Sequence, residues 1–367
     1  MSTQVTSSSG CESQRVGGPS LVAVVARMRF AAGVGTLALI TLLGASTVTL
    51  AGCGGDKSSA ARHAPAPRPQ LASSAPTSMI VYVSDHGRAY VRTSGTPRPS
   101  ATQRFRIGDV TKTFTATIIL QLTAEGMLGL DDTLYRYLPG VIPGGKHITI
   151  RELLGHRSGL PNYTDYVDWL ARAGRSTSTR PIDVLRFAAS QPPYAPPGIE
   201  WEYSNTNYIA LGLIIERITR QSFAQQLEQR ILRPLGLRNT QLATTRTLVD
   251  LRDQGVNPNL AWAAGGIVST APDLVRFFSA LLSGHILSRR SLAQMEQTVT
   301  FGDGLGLFAT RLRCGLVWGH PGGILDYATL VEASQDGSRV AVISARGSAQ
   351  PPDASTLLCP KHTTRTR

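Results

Sequence analysis

The sequence predicts an α/β (α+β) fold: one antiparallel sheet assembled from both ends of the domain, flanked by helices, with a mainly helical region inserted between the two groups of strands. Three observations predict it. Short β-branched and aromatic runs occur at 79–84 and 89–93 and return at 317–319, 325–333 and 339–344. The intervening stretch 131–260 reads as helical segments joined by Gly, Pro and Asn loops. Strands at both ends of a helical middle close most simply as a single sheet.

Composition sets the outer limits. The chain has 367 residues, of which 42% are hydrophobic and 17% charged, with 4 Cys. That is enough apolar material for a core in one large domain or two medium ones, and it excludes a disordered chain, a coiled coil and a disulfide-built scaffold. The formal net charge is +13. Basic residues are dispersed, with no Lys/Arg stripe interleaved with aromatics, so a nucleic acid partner is not expected. Attraction to an anionic envelope explains the charge.

The first element is not part of the fold. Residues 1–27 are rich in Ser, Gly and Thr without a period. Met28-Arg29-Phe30 then opens an apolar stretch that ends in Leu50-Ala51-Gly52-Cys53. A basic residue, an apolar run and small residues before the break are the layout of an export signal. A cysteine directly after Leu-Ala-Gly predicts lipid attachment at Cys53, hence an exported protein anchored at the outer face of the cytoplasmic membrane. A retained span is the alternative, since about 20 apolar residues cross a bilayer. Residues 1–52 thus form an N-terminal extension plus lipoprotein signal, with Met1 and Met28 both open as starts. Residues 53–77 form an Ala/Pro-rich tether, 78–348 the folded domain, and 349–367 a C-terminal segment and tail. Removing 1–52 takes away Arg15, Arg27, Arg29 and Glu12 and leaves a net charge near +11.

Within the domain, 79–84 and 89–93 flank Asp85-His86-Gly87-Arg88 and read as a hairpin. A long helix begins near Asp109, with Phe114, Ile118, Leu122 and Ala124 at roughly helical spacing and Gly126 as its stop. Further helices are expected at 149–155, 181–189, 206–220 and 222–232. Another is expected at 271–283, capped by Thr270 with Pro272 in its first turn. Gly302-Asp303-Gly304-Leu305-Gly306 follows no strand, so it bends the chain before a strand at Leu307-Phe308 and does not bind a nucleotide. Asp336-Gly337 marks a hairpin between the last two strands. Of the cysteines, Cys11 lies in the leading segment and Cys53 is the lipidation candidate. Cys314 and Cys359 remain, and an oxidising compartment favours a bridge between them; two unpaired buried thiols are the alternative. Fraying is expected after Cys359. His63, His86, His147, His156, His285 and His362 lack zinc-ligand spacing, so neither metal nor other cofactor is expected.

Three separated spots carry chemistry. Gly108-Asp109-Val110-Thr111-Lys112 stands at a helix start, where residues 109 and 112 share a face and 109 feels the helix N-terminal field. Tyr203-Ser204-Asn205 follows the Pro196-Pro197-Gly198 turn. His320-Pro321-Gly322-Gly323 leads into a strand. These residues resemble the serine β-lactamase and penicillin-binding superfamily, in the branch of class C β-lactamases and secreted D-alanyl-D-alanine carboxypeptidases. The shared patterns are Ser-x-x-Lys, Tyr-x-Asn and Lys/His-x-Gly. Similar text runs from about Phe105 to about Cys359, including Leu153-Leu154-Gly155-His156-Arg157-Ser158-Gly159-Leu160 and Ala264-Gly265-Gly266. His320 in place of Lys looks more like the carboxypeptidase side.

The resemblance implies a β-lactamase/transpeptidase-like fold and a serine hydrolase acting through an acyl-enzyme on peptidoglycan stem peptides or β-lactams, as a monomer. Lys112 and Tyr203 would move the proton, and Asn205 would orient substrate. His320 would supply positive or hydrogen-bonding character near the substrate carboxylate. The backbone N–H groups of Asp109 and Gly323 would form the oxyanion hole. One position departs from the pattern: Asp109 occupies the nucleophile slot. Its carboxylate is already ionised near neutral pH and within reach of Lys112, so an ion pair is the natural ground state. A non-acylating binding protein on the same fold is therefore the alternative reading. Structurally, Asp109 also reads as a helix N-cap.

Proteins of this kind usually carry a helix before the first hairpin and a longer terminal helix. Here the tether and a short C-terminal segment stand in their places, so exposed apolar surface is expected on the sheet.

Overall fold

The computed structural model describes residues 77–250, 257–298, 302–347, 352 and 354–359. The expected extension, signal, lipidation at Cys53 and nearly all of the tether lie outside the described residues, as does the tail beyond Cys359.

The six-stranded sheet has the order β2-β1-β9-β8-β7-β6 and every pairing is antiparallel. Its strands are β1 (Ser78–Asp85), β2 (Arg88–Gly95), β6 (Phe308–Leu312), β7 (Gly315–Ile324), β8 (Tyr327–Ser334) and β9 (Arg339–Arg346). The two chain ends meet where β1 pairs with β9, from Ser78 opposite Arg346 to Asp85 opposite Arg339. Central β9 is buried from Val340 to Ala345, the continuous apolar run expected of a strand covered on both faces. The edge strand β2 is almost wholly exposed, and its arginines blunt the edge against stray pairing. A second small sheet, β3 (Phe105–Arg106), β5 (Ile267–Ser269) and β4 (Gln241–Leu242), in the order β3-β5-β4, was not legible as strand text, because two- and three-residue pairings leave no period to read.

The helices lie close to their expected positions. The central one, α1 (Thr111–Ala124), is buried at every residue from Thr111 to Leu120. A helix enclosed on all sides has no need of an apolar stripe. Its threonines are admitted because their hydroxyls are bonded: Thr113 to the Gly306 carbonyl at 2.9 Å, Thr115 to the Ala263 carbonyl at 2.7 Å and Thr117 to the Thr113 carbonyl at 2.8 Å. Next come α2 (Ile150–Leu154), α3 (Pro181–Ala189), α4 (Asn205–Thr219) and α5 (Phe223–Leu227), the last running into a π-helical turn, Glu228–Leu232. Helix α6 (Ala271–Leu282) starts as the sequence indicates, with the Thr270 hydroxyl accepting from the Asp273 N–H and Pro272 in the first turn. It packs on β9 and is joined to α1 by the stacked rings of Phe114 and Phe277, 3.7 Å between centroids. Helix α7 (Arg289–Met295) lies against α1, and α8 (Ala354–Leu358) covers β9 from the opposite face.

Because α8 is only five residues long, a groove remains beside it, lined by Val81, Val83, Tyr90, Leu357 and Leu358 among others. Tyr90 keeps 58% of its surface exposed there. Cys314 and Cys359 are bridged, with Cα atoms 5.3 Å apart, and so tie α8 to the β6–β7 turn across 45 residues of sequence. Closing a loop of that length stabilises the fold by about 4 kcal/mol in the chain-entropy description. Replacing both cysteines by serine should lower the thermal midpoint by roughly 5–9 °C, measured by calorimetry; an unchanged midpoint would show that the C-terminal helix is held by packing alone.

Candidate active site

Two close backbone approaches create the site. A 3-10 turn, Gly108–Val110, leads into α1, and β7 packs directly against it. Gly108 is left-handed, with φ +53°, and a Cβ there would stand 2.8 Å from the Gly323 nitrogen. On the strand side, a Cβ at Gly322 would stand 2.1 Å from the Ile107 carbonyl oxygen, which is main chain and cannot yield. Strand β6 pairs with β7 only as far as Gly319, so residues 320–324 have a free edge on that side. Pro321 is tolerated in such a place. The His320-Pro321-Gly322-Gly323 text therefore forms the second half of a strand rather than the approach to one. Gly322→Ala should push β7 off the turn: we expect a soluble fold with a clear loss of stability and of every ligand-binding property of the cleft, measured by thermal melting and binding assays. Native-like values of both would refute the tight approach.

Asp109 does not act as the expected N-cap. The residue preceding α1 is Val110, and no side chain caps either the turn or the helix. The Asp109 carboxylate instead points into the cleft and meets three donors. Lys112 Nζ donates to Oδ1 at 2.5 Å, the Tyr203 hydroxyl donates to the same oxygen at 2.7 Å, and the Gly323 N–H donates to Oδ2 at 3.2 Å. Lys112 is fully enclosed, whereas the Asp109 side chain keeps 19% of its surface open. The ammonium also donates to Asn205 Oδ1 at 2.7 Å and to the Ala264 carbonyl at 2.9 Å, which uses all three of its protons. The rings of Tyr203 and Tyr208 flank it, with centroids 5.1 and 5.5 Å away. Asn205 is committed as well, since its Nδ2 donates to Asn162 Oδ1 at 3.3 Å.

The charges follow from this packing. Burial works to raise the Asp109 carboxyl, but the Lys112 charge and the hydrogen bonds from Lys112 and Tyr203 hold it below the ordinary carboxylate range. Burial lowers Lys112, and Asp109 offsets part of that. Burial, then the Asp109 charge, pushes Tyr203 far above the usual phenol value, so it is a donor and not a phenolate. His320 is buried and edge-on to Phe308 at 5.0 Å, with Nδ1 2.5 Å from the Pro321 carbonyl. Burial, then the Lys112 charge, pushes His320 down to about 4. Of the two roles expected for it, the positive one is corrected: the imidazole is neutral at neutral pH and can only hydrogen-bond.

Lys112, Tyr203 and the Gly323 N–H thus converge on Asp109, Asn205 joins them through Lys112 and Tyr203, and His320 lies within electrostatic reach of the pair. Ser204 points elsewhere, its hydroxyl donating to the Pro161 carbonyl. Four supporting residues went unrecognised in the sequence. Asn162 accepts from both the backbone and the side-chain amide of Asn205. His156 packs on Tyr203 with ring centroids 4.6 Å apart, and its Nδ1 accepts from the Ser204 N–H. Trp201 donates to Asp303, which is wholly buried. The available signal was proximity to the motifs: His156 lies within the 153–160 text, Asn162 follows it by two residues, and Trp201 precedes Tyr203 by two.

Comparison with known proteins places the fold in a family. Against solved structures, the chain is similar to a D-stereospecific amidohydrolase from Streptomyces sp., at 34% identity and TM-score 0.69 over 76% of this chain and 91% of that one. It is also similar to the D-amino acid amidase from Ochrobactrum anthropi SV3, at 25% identity and TM-score 0.67 over 75% and 87% of the two chains. Among curated proteins it is 35% identical to protein flp of Staphylococcus aureus over 40% of this chain, and 28% identical to penicillin-binding protein 4* of Bacillus subtilis over 62% of it. The chain spans 30% of the former's length and 57% of the latter's. The family model named Beta-lactamase matches residues 68–357. With its sheet of joined chain ends, its inserted helices and its three converging motifs, the chain belongs to the Beta-lactamase family of serine hydrolase folds.

Proposed function

We propose that this protein is a non-acylating member of its family, exported and lipid-anchored, whose cleft receives peptidoglycan stem peptides or β-lactams and holds them without covalent capture. One observation carries the reading: a single carboxylate engages the lysine, the tyrosine and an oxyanion-hole N–H together. In a serine enzyme of this design the lysine and tyrosine handle the hydroxyl proton, and the N–H awaits the developing oxyanion. Here Asp109 has no proton to surrender and is held ionised. Attack by the carboxylate would form a mixed anhydride, a poorer acyl carrier than an ester. Its charge would also oppose the oxyanion in the transition state.

A D-alanyl-D-alanine carboxypeptidase-like or amidase-like hydrolysis is the second reading. The 34% identity to a D-stereospecific amidohydrolase over most of both chains favours it. The two separate in one experiment: incubation with a labelled penicillin, followed by intact mass for a covalent adduct and by thermal shift for reversible binding. Reversible binding without an adduct is expected. An adduct or rapid hydrolysis by the unaltered protein would overturn the non-acylating reading.

A further inference from the structure

Asp303 lies on the loop before β6 and is wholly buried. Its Oδ2 accepts from Trp201 Nε1, and its Oδ1 has no partner among the described residues. No arginine or lysine among the described residues lies within ion-pair distance of it. Two titratable groups share its surroundings. Lys112 acts on it electrostatically from α1. Tyr208, from α4, feels its charge but gives its own hydroxyl proton to the Leu154 carbonyl at 2.9 Å. Phe308 bridges Asp303 along the backbone, and the Met295 carbonyl of α7, next to Glu296, accepts from the Leu305 N–H.

An ionised carboxylate in such a place is costly. Burial, only partly offset by the Trp201 hydrogen bond and the Lys112 charge, pushes this acid up to about 8. An asparagine would satisfy Trp201 equally well without that liability. A buried ionisable group that packing does not require, set beside a functional lysine, points to a role in the site. The Trp201 bond has a second consequence. The Trp201 and Tyr203 rings both pack against His156, with centroids 6.3 and 4.6 Å from its ring, and anchoring Trp201 therefore helps to fix the approach of Tyr203.

We propose that Asp303 is the second acid of this site, a positioning residue that holds Tyr203 in place through Trp201 and becomes the counter-ion of Lys112 whenever residue 109 carries no charge. Two carboxyls then serve one ammonium. Asp109 holds the contact position while Asp303 stores a proton; with Asp109 neutralised, that proton leaves and Lys112 stays charged. The role does not require turnover, so it can fail while the binding reading stands, and the reverse.

The test uses the full chain with Asp109→Ser, Asp303→Asn and the double variant. The Lys112 titration, followed by NMR of labelled lysine, should move down by about one pH unit from Asp109→Ser to Asp109→Ser/Asp303→Asn; coincident curves would overturn the counter-ion role. The second readout needs neither ligand nor turnover. Native Asp303 keeps a proton that the unfolded chain releases above its ordinary carboxylate range, so it lowers stability progressively between about pH 4 and pH 8. The thermal midpoint of Asp303→Asn relative to native should therefore rise across that window and level off above it. A difference independent of pH would show that Asp303 is already ionised and holds no stored proton. If Asp303→Asn fails to fold, Trp201→Phe replaces it: loss of the Nε1 donor should move the levelling-off point to higher pH, and an unmoved point counts against the assignment. A penicillin adduct in Asp109→Ser, present or absent, bears only on the function proposed above.

Discussion

Asp109→Ser should be acylated stoichiometrically by a penicillin where the native chain, on the non-acylating proposal, stays adduct-free, with intact mass as the readout. The substitution removes the carboxylate that occupies the Gly323 N–H, the oxyanion-hole donor of the proposed function, and puts a hydroxyl within reach of Lys112 and Tyr203. Loss of one oxyanion-hole donor costs about 3–4 kcal/mol in a comparable protease, and restoring a nucleophile together with a free donor should yield at least that much. The expected gain in acylation rate is therefore a hundredfold or more over the native background. It should rise with pH, because Lys112 must lose its proton to act as a base. The companion variant Asp109→Asn frees the charge but supplies no nucleophile and should remain adduct-free. Equal, undetectable acylation in the serine form would mean that the cleft no longer admits a β-lactam at all.

Lys112→Met should be the most destabilising single change in the site. The ammonium is wholly enclosed and bonded to Asp109, Asn205 and the Ala264 carbonyl. Removing it strands the Asp109 carboxylate against Tyr203 with only part of its surface solvated. Breaking a buried pair costs about 3–5 kcal/mol, and the exposure of Asp109 favours the lower end. A fall in thermal midpoint of roughly 5–9 °C follows for a domain of this size. The double variant Asp109→Asn/Lys112→Met should recover most of that loss, since no charge is then left unpaired. Simple additivity of the two substitutions, measured by chemical denaturation, would show that the pair is not energetically coupled.

Much of the fold was legible from local text. The hairpin at Gly87, the Thr270 cap with Pro272 and the Asp336-Gly337 turn each depend on one or two residues whose backbone preferences are strong. Their elements appear within a residue or two of the expected places. Helix α1 was found by its apolar residues and its Gly126 stop, although its burial on every side could not be read from a sequence in which threonine recurs at alternate positions. The small β3-β5-β4 sheet stayed hidden, because its pairings are short and join segments far apart in the chain.

The site divides along the same line. Residue types and spacing marked the three segments that hold Asp109, Lys112, Tyr203, Asn205, His320 and Gly323, and the family resemblance supplied the role expected of each. Local reasoning also offered an N-cap role for Asp109, and the resemblance offered a positive charge as one of two roles for His320; neither of these holds, for one reason. A capping preference assumes that the nearest donors are the helix's own, and an ordinary imidazole pKa assumes water. Tertiary packing replaced the first with Lys112, Tyr203 and Gly323, contributed by three separate elements, and removed the second. It alone brought Trp201 and Asp303, 102 residues apart in the chain, into a hydrogen bond beside the site. The identity of the groups was written in the chain; which of them are charged, and which donor each oxygen meets, depends on distances and burial that exist only once the sheet and helices have closed around them.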